Sequence, residues 1–401
     1  MAGCSFPDQW KEATVIGIYK PGKPRNLPTS YRPISLLNSM GKIYERLILA
    51  RLKTVIEVNN LYINEQFGFR AGHSASHAVL RITEHIASAL FFDVAKAFDK
   101  VWHNGLIYKL HILGIPVSLV RIVHDYLSNR TFRFNVEGTL STTRPLRAGV
   151  PQGSVLSPTL YSLYTSDIPK CKLTEIALFA DDTAIYTSAK FASTITSRLQ
   201  AAANALSAWF RTWRIEINPD KSTAVYFRRG NSRRDSPRTR PGPITLNDRP
   251  VPWLKKVKYL GVMLDSALSF EPHITKTRNK AFFVLSRLYP MLCKRSKMSR
   301  NIDLHKDFNL DSIHKVIKDL SIKHFEKAAR HPNPLIQNTS KYSPQWSPLS
   351  IHRRPKDVLV APDDYITSAN VNTIGNRANT HRPRRRGRRP SFVTSRRRLG
   401  V

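Results

Sequence analysis

Acidic residues are scarce in this chain, and their scarcity makes their placement informative. Only 28 of the 401 residues are Asp or Glu, against 64 Lys or Arg, for a formal charge of +36. Such an excess needs a polyanion, or dispersal over solvated tails, and nucleic acid is the default partner. Cysteine is scarcer still: Cys4, Cys171 and Cys293 stand alone, with no CxxC pair. That excludes a Cys-rich zinc ribbon or knuckle within the sequence and points to a reducing compartment. Long apolar runs are also missing. None approaches the roughly 18 residues that span a bilayer, and no basic-then-apolar signal segment opens the sequence, so no membrane partner is expected. The hydrophobic fraction of 41% supports a real core, and the length allows two or three domains or one multi-lobed fold.

Four of these acids stand in two informative segments 88 residues apart, Phe91-Phe92-Asp93-Val94-Ala95-Lys96-Ala97-Phe98-Asp99 and Leu178-Phe179-Ala180-Asp181-Asp182-Thr183-Ala184-Ile185. In each, an apolar β-type run ends abruptly in carboxylates. Carboxylates delivered to one point by strand ends suit hard cations, and two cations clamping attacking and leaving oxygens are what nucleotidyl transfer requires. An Asp-Asp pair at a turn, taken alone, more often just solvates that turn.

The segments between and around these sites give an α+β reading. Ile34 to Leu52 has the pattern of an amphipathic helix, with Ile43, Leu47 and Leu49 inward and Lys42, Arg46 and Arg51 outward. A second helix is expected over Ser76 to Ala89, with Val79, Leu80, Ile82 and Ile86 inward. Leu90-Phe91-Phe92 and Ile176 to Phe179 read as buried central strands. A helix is expected around Leu106–Leu127, and an alternating strand at Thr131–Val136. Leu199, Ala203, Leu206, Phe210 and Trp213 recur at helical spacing within 192–217; the ring spacing favours core packing of Trp209, Phe210 and Trp213 over base stacking. Thr223 to Phe227 reads as a strand, 228–243 as an exposed loop, and Val257 to Leu264 as a hairpin bending at Gly261. Leu310 to Ala329 is again helical in pattern. The stretch Arg377 to Arg398 holds ten arginines and no acid, too little apolar surface to fold, and is expected to be disordered.

Further segments add weight to the acids. Ala148 to Pro158 is a Gly-Pro-Gly framework that permits close backbone approach to a ligand. Within it, Gln152 offers an amide to a base pair or sugar, although an ordinary loop with a helix cap at Ser157 fits the same residues. Phe98 follows Asp93 by five positions; its ring could sit under a bound sugar and crowd a 2′-hydroxyl, or simply pack in the core. Lys221, after the expected helix end at Asn218-Pro219-Asp220, could hold a pyrophosphate leaving group or be merely solvated. His73 and His77 are four apart, a spacing that can bind zinc. They lack the Glu of HExxH and any third ligand in the sequence, so a metal site there is not expected.

The ordered set YRPISLLN (31–38), NEQFGFRAGHSASH (64–77), FFDVAKAFDKVWH (91–103), RAGVPQGSVLSPTLY (147–161), ALFADDTAIY (177–186), INPDKS (217–222) and KYLGVMLD (258–265) resembles the reverse transcriptases of non-LTR retrotransposons, jockey type. The resemblance covers about residues 8 to 300, and Phe325 to Ile336 is similar to the region past the thumb in these elements. It implies a right-hand polymerase fold: fingers at 1–88, palm at 89–265 within a reverse transcriptase core of about 15–265, a truncated helical thumb at 266–300, a helical remnant at 301–340 and a disordered basic tail at 341–401. The activity implied is RNA-directed DNA polymerisation, transferring dNTP to a primer 3′-hydroxyl, with an RNA template, a DNA primer and the element's own RNA as partners. The implied palm triad is Asp93, Asp181 and Asp182. Asp93 and Asp181 would bridge two Mg²⁺ (Mn²⁺ as a substitute) with the Val94 carbonyl, and Asp182 would be the weaker ligand. Phe98 matches the sugar gate, Gln152 and Gly153 the segment lining the nascent base pair, Lys221 the lysine near the leaving group, and Tyr259, Leu260 and Gly261 the primer grip. Arg32, Lys42 and Arg70 lie in finger motifs that meet template or triphosphate. Nuclear and cytoplasmic location follows from the same resemblance.

The sequence departs from that pattern at two joins. The helix ending at Ile86-Ala87-Ser88-Ala89 competes for residues with the strand that carries Asp93, and the stretch 297–305 jumps from an early to a later thumb segment. An endonuclease would have to come from elsewhere. A catalytically impaired, truncated remnant that binds RNA is therefore the alternative reading; a group II intron-like maturase fits the YRPISLLN and FADD spelling less well.

Overall fold

A computed structural model describes residues 5–85, 87–189, 191–227, 241–292 and 313–340 of the chain. The expected loop at 228–243 lies mostly outside these residues, as do the short thumb join at 297–305 and the arginine-rich tail. Among the described residues, no helix is long and apolar enough to cross a membrane.

Two five-stranded sheets organise the α+β architecture. The first combines β1 (Glu12–Tyr19), β2 (Tyr31–Leu36), β4 (Thr131–Val136), β5 (Thr139–Leu140) and β6 (Arg144–Pro145). β1 pairs antiparallel with β2 and parallel with β4, so the chain returns to this sheet after building part of the second. Thr131–Val136 is the strand the alternation predicted.

The second sheet has the order β12-β9-β3-β8-β7, from β3 (Ser88–Val94), β7 (Glu175–Phe179), β8 (Asp182–Thr187), β9 (Ile217–Tyr226) and β12 (Trp253–Leu254). β3, at its centre, is apolar from Ala89 to Phe92 and again at Val94, and both its faces are covered. Leu90, Phe92 and Val94 join the main core with Ile185 and Ala224, while Ala89 and Phe91 join a second cluster with Ala184, Tyr186 and Val225. A period of two thus sends alternate side chains to opposite cores. The main core is closed by helices α3 (His103–Ile112), α4 (Val117–Leu127), α5 (Ser157–Tyr164) and α6 (Ala192–Thr212). The other is closed by α2 (Ala75–His85) and the hairpin β13 (Lys256–Tyr259)–β14 (Val262–Asp265). β7 is an edge strand, not a central one, although its residues 176–178 are buried. A small hairpin, β10 (Ile244–Leu246) and β11 (Arg249–Val251), packs beside α6 and β9.

Several sequence expectations shift in register. The helix expected from Ile34 is α1 (Ser39–Val58), started by Asn38, whose Oδ1 accepts from Met40 N and Gly41 N at 2.8 and 3.3 Å. Ile34 to Leu36 is strand β2 instead. The inward face of α1 is Glu45, Ile48, Leu52 and Ile56; Ile43 and Leu47 are 50% and 55% exposed. The competition before Asp93 resolves in favour of the strand: α2 stops at His85, and Ser88 already pairs with Thr187. Val79 and Ile82 face inward as expected, while Ile86 lies outside the described residues. The helix expected at 106–127 is two helices, broken where Pro116 begins the second. Further along are α7 (Glu271–Leu292), α8 (Ile313–Ala329) and α9 (Pro334–Ser340).

Candidate active site

The two acidic segments meet because β3 and β8 are adjacent antiparallel strands. Phe92 pairs with Thr183, so Asp93 at the exit of β3 lies beside Asp182 at the entry of β8. A two-residue turn, Ala180-Asp181, joins β7 to β8 across the pair Phe179 and Asp182. Ala180 is left-handed (φ 59°), a conformation that costs an L-residue about 1 kcal/mol or more and needs external support. That support comes from the loop at 65–68. Leu178 N donates to Glu65 O at 2.9 Å, Phe67 N donates to Leu178 O at 2.8 Å, and the buried Gln66 Oε1 accepts from Gly68 N and Ala180 N at 2.9 and 3.4 Å. A side chain on Gly68 would place its Cβ 2.4 Å from Ala180 N. Gln66 and Gly68 were not singled out in the sequence beyond their presence in NEQFGFR, because nothing local reveals that this loop braces a turn over a hundred residues away.

The acids feel one another. Burial pushes the Asp182 carboxyl up to about 6, with Asp181 and Asp93 adding to the shift. Asp181 is raised for the same leading reason, with Asp93 raising it further and Arg32 opposing. Both residues still reach solvent at the turn, so this burial is partial, and the neighbouring aspartates add to its effect. Two buried tyrosines flank them: Tyr161 senses Asp181 and Tyr259 senses Asp182, and burial raises both phenols.

Lys221 is not at a helix end, as the pattern suggested, but inside β9. Asp93 pairs with Asn218 and Phe91 with Thr223, so residues 219–222 bulge opposite Phe92 alone. The bulge is held by Ser222, whose Oγ accepts from Asp93 N at 3.2 Å and donates to Asn218 O at 2.8 Å. It carries Lys221 Nζ to 3.8 Å from Asp93 Oδ2. Beside them opens a cleft of about 290 Å³, lined by Asp93, Asp182, Lys221, Lys256, Lys258 and Tyr259 among others. Tyr259 pairs with Val262 across the turn Leu260-Gly261, both left-handed, as a tight hairpin requires.

On the other flank, Phe98 stacks on Tyr161 (4.9 Å between centroids) and meets Phe69 edge-on. Its carbonyl accepts from Val150 N at 2.7 Å. The segment 149–153 is threaded tightly: a Cβ on Gly149 would lie 2.6 Å from Asp99 O, and one on Gly153 2.7 Å from Ser35 O, both at positive φ. Gln152 Nε2 donates to Asp99 Oδ1 at 2.8 Å, and its carbonyl accepts from Ser35 N. The buried Glu45 anchors the far end. Its Oε2 accepts from Ser154 Oγ, Val155 N and Leu156 N at 2.6, 2.7 and 3.1 Å. A carboxylate on the inward face of a helix was the signal for this role, and the apolar pattern of α1 obscured it.

Arg32, on β2, reaches the acids electrostatically. Val94 is buried and pairs with Ile217. Lys42 lies in the first turn of α1. Arg70 turns away: it donates to Ile63 O at 3.0 Å and lies over the Tyr62 ring. Trp213 and Trp209 pack on the core and cage the buried Lys109, as core rings rather than stacking platforms. His73 and His77 do gain neighbours, His324 and His331. Yet among the described residues no group of three or more His, Cys, Asp or Glu is arranged to hold a metal ion, here or at the acidic turn.

Comparison with known proteins identifies the family. Residues 18–264 match the family described as reverse transcriptase (RNA-dependent DNA polymerase). The chain is 40% identical over 313 residues to the RNA-directed DNA polymerase from mobile element jockey of Drosophila melanogaster, a span covering 73% of this chain and 33% of that protein. It is 38% identical over 312 residues to the probable RNA-directed DNA polymerase from transposon BS of the same species (73% and 34% covered) and 32% identical over 421 residues to that of transposon X-element (88% and 45%). The chain thus spans between a third and a half of these relatives' lengths. Among solved structures, an apo telomerase from Candida tropicalis, truncated from its C-terminal domain, aligns with a TM-score of 0.43 at 14% identity, covering 66% of this chain and 55% of that one. With the family match running over more than half of the sequence, the chain belongs to the reverse transcriptase (RNA-dependent DNA polymerase) family.

Proposed function

We propose that the chain is the polymerase portion of a non-LTR retrotransposon protein and transfers dNTP to a primer 3′-hydroxyl on an RNA template. The observation that carries this is the convergence of Asp93, Asp181 and Asp182 at the β3–β8 junction, next to a lysine-lined cleft. The family uses divalent metal ions, and the donor set fits them: three hard carboxylates on one rim, mutually repelling, with the Lys221 ammonium 3.8 Å from one of them. Asp93, Asp181 and Asp182, with the Val94 carbonyl, would hold two Mg²⁺. Such ions supply Lewis-acid stabilisation of charge on the transferring phosphoryl group.

The chain's own residues do the rest. Lys221 and Arg32 bring positive charge to the edges of the acidic rim, where a triphosphate must shed charge as pyrophosphate. Phe98, fixed by Tyr161 and Phe69, offers a flat face for a sugar and leaves little room beside it. Gly149 and Gly153 let the 149–153 backbone lie close to its neighbours, where the nascent base pair would rest against Gln152. Tyr259 to Gly261 and the lysines of β13 would hold the primer end. On this reading the sheet of β1, β2 and β4 belongs to the fingers and that of β3, β7, β8 and β9 to the palm, and α7 opens the thumb.

Primer extension on an RNA template with Mg²⁺ and dNTPs tests the proposal. Incorporation that disappears in Asp181→Ala supports it. RNA binding with no incorporation by the unaltered chain would mean an inactive remnant instead.

A further inference from the structure

The family match ends at residue 264, but the chain comes back to the site afterwards. α8, the turn that follows it and α9 pack against the loop 64–73 and α2. Asn333, 2% exposed, sits at the centre of this junction with its whole side chain engaged. Oδ1 accepts from Leu335 N at 2.9 Å and caps α9. Nδ2 donates to the Asn64 carbonyl at 2.9 Å and contacts His73 Nε2 at 3.0 Å. His73 Nδ1 faces the Ala71 carbonyl at 2.9 Å, so Nδ1 carries the proton and Nε2 accepts from Asn333.

Around this polar clamp lies a small separate core. Phe67, Ala78, Ala328 and Ile336 are buried together, with Phe179, Leu260 and Leu335 packed on them. Phe179 is the last residue of β7 before the acidic turn, and Leu260 is the turn residue of the β13–β14 hairpin. The strap 325–340 thus shares one core with Phe67 of the bracing loop, and Phe179 of the strand that delivers Asp181 and Leu260 of the hairpin beside the cleft pack on that same core. The path from clamp to acids is short. Asn64 adjoins Glu65, Gln66 and Phe67, which hold Leu178 and Ala180 by the backbone and amide bonds described above, and Ala180 is the left-handed residue before Asp181.

We infer that Asn333 is a positioning residue: the segment 325–340, outside the family match, holds the loop 64–68 against β7 and so sets where Asp181 and Asp182 lie. The catalytic consequence rests on the polymerase reading; the structural consequence does not. A strap that only adds packing would lower overall stability and leave the turn no looser than the rest. A strap that positions the turn makes its loss felt there first.

The experiment uses the full chain with Asn333→Ala and, beside it, Asn333→Asp, which keeps the α9 cap but loses the donors to Asn64 and His73. Hydrogen exchange is followed in peptides covering 64–69 and 176–183, with 12–19 as the control. The expected result in both variants is exchange faster by about tenfold in the first two peptides and unchanged in the control. In primer extension kcat should fall, by up to about 100-fold for a displacement near 1 Å, while KM for primer–template stays within about twofold. Faster exchange everywhere in Asn333→Asp, or none at 176–183, overturns the inference. If the unaltered chain does not polymerise, the function proposal fails on its own and the exchange result still decides this one.

Discussion

Two crowds of like titratable groups are joined by the loop 64–73; burial pushes both toward their neutral forms, but one remains open to solvent and the other does not. At one end, Asp93, Asp181 and Asp182 share a solvent-facing rim, and burial together with mutual repulsion raises Asp181 and Asp182. At the other, His73, His77, His324 and His331 lie ring against ring, with centroids 4.7–5.9 Å apart. Burial is the first cause of all four shifts and pushes every one of them down; no carboxylate contributes to any, and Arg70 lowers two of them further. The imidazoles discharge themselves and become ordinary packing and hydrogen-bond acceptors. Asp181 and Asp182 stay exposed, with Arg32 and Lys221 as the neighbouring cations. On the proposed polymerase reading the exposed cluster is the ligand site, and the buried one is part of the frame.

The largest effect should come from breaking the open cluster. Asp181→Asn is expected to cut incorporation by at least about 100-fold, the scale seen when one electrostatic contact to a transition state is removed. It should leave the thermal midpoint unchanged or slightly raised, because one of three repelling charges is gone. Incorporation within tenfold of the unaltered chain would refute the assignment of Asp181.

Acid should distinguish the two clusters next. The His77 imidazole, 8% exposed, is pushed down to about 4 from 6.5. Its folded form binds a proton less readily than the unfolded chain, so its contribution is fully present above pH 6.5 and is lost as pH falls toward 4. The full contribution is on the order of 3 kcal/mol; His73 acts in the same direction. Asp182 has the opposite sign: its raised pKa makes acidification from about pH 6 toward 3.8 stabilising. Urea midpoints between pH 7 and pH 5 should therefore fall for the unaltered chain, fall less for His77→Leu, and fall more steeply for Asp182→Asn. Parallel pH curves for all three would erase the contrast.

Gly68→Ala tests the loop that connects the clusters. A Cβ there would stand 2.4 Å from Ala180 N, backbone against backbone, with no flexible side chain to yield. A destabilisation of about 1–3 kcal/mol is expected in denaturant titrations, with incorporation reduced by more than the folded fraction explains. Activity lost only in proportion to unfolding would show that the loop does not position the turn. A smaller, qualitative change is expected from Phe98→Val. Removing the ring that stacks on Tyr161 should raise rNTP use relative to dNTP by about tenfold or more, measured as the ratio of kcat/KM values.

How much of this was legible in the sequence depends on range. Strands with one dominant local signal came through: the apolar run ending in Asp93, the alternation at Thr131–Val136, the Gly261 hairpin. So did α6, whose inward Leu199, Ala203, Leu206 and Phe210 are all buried. On α1, Leu49 packs on the main core as expected but Ile43 and Leu47 do not, because periodicity assumes that inward means apolar. Here the inward row contains Glu45, whose carboxylate serves three donors of the 154–156 segment, and Ile43 and Leu47 are left outside. The neighbours of His73 and His77 are invisible in the local sequence, since His324 and His331 lie some 250 residues further along. Contacts at that separation leave no trace in local pattern.

Lys221 is where range and locality meet, and it should give the smallest stability effect of all. The sequence suggested a lysine just past a helix; the structure puts it on a four-residue bulge of β9. Its ammonium lies 3.8 Å from Asp93 with side-chain exposures of 67% and 43%, a pair that screening leaves worth little. Lys221→Met should therefore move the urea midpoint by no more than about 0.5 kcal/mol equivalent. If the lysine only neutralises Asp93, incorporation should be unchanged or rise in low metal, since a competing cation has been removed. If it meets the leaving pyrophosphate, kcat should drop by about tenfold at saturating metal, with KM for the primer–template unaltered. Measuring incorporation across a metal titration separates these outcomes. A drop that persists at saturation assigns Lys221 to the leaving group; no drop, or a rise confined to low metal, would remove it from that role and leave it a counter-charge beside Asp93.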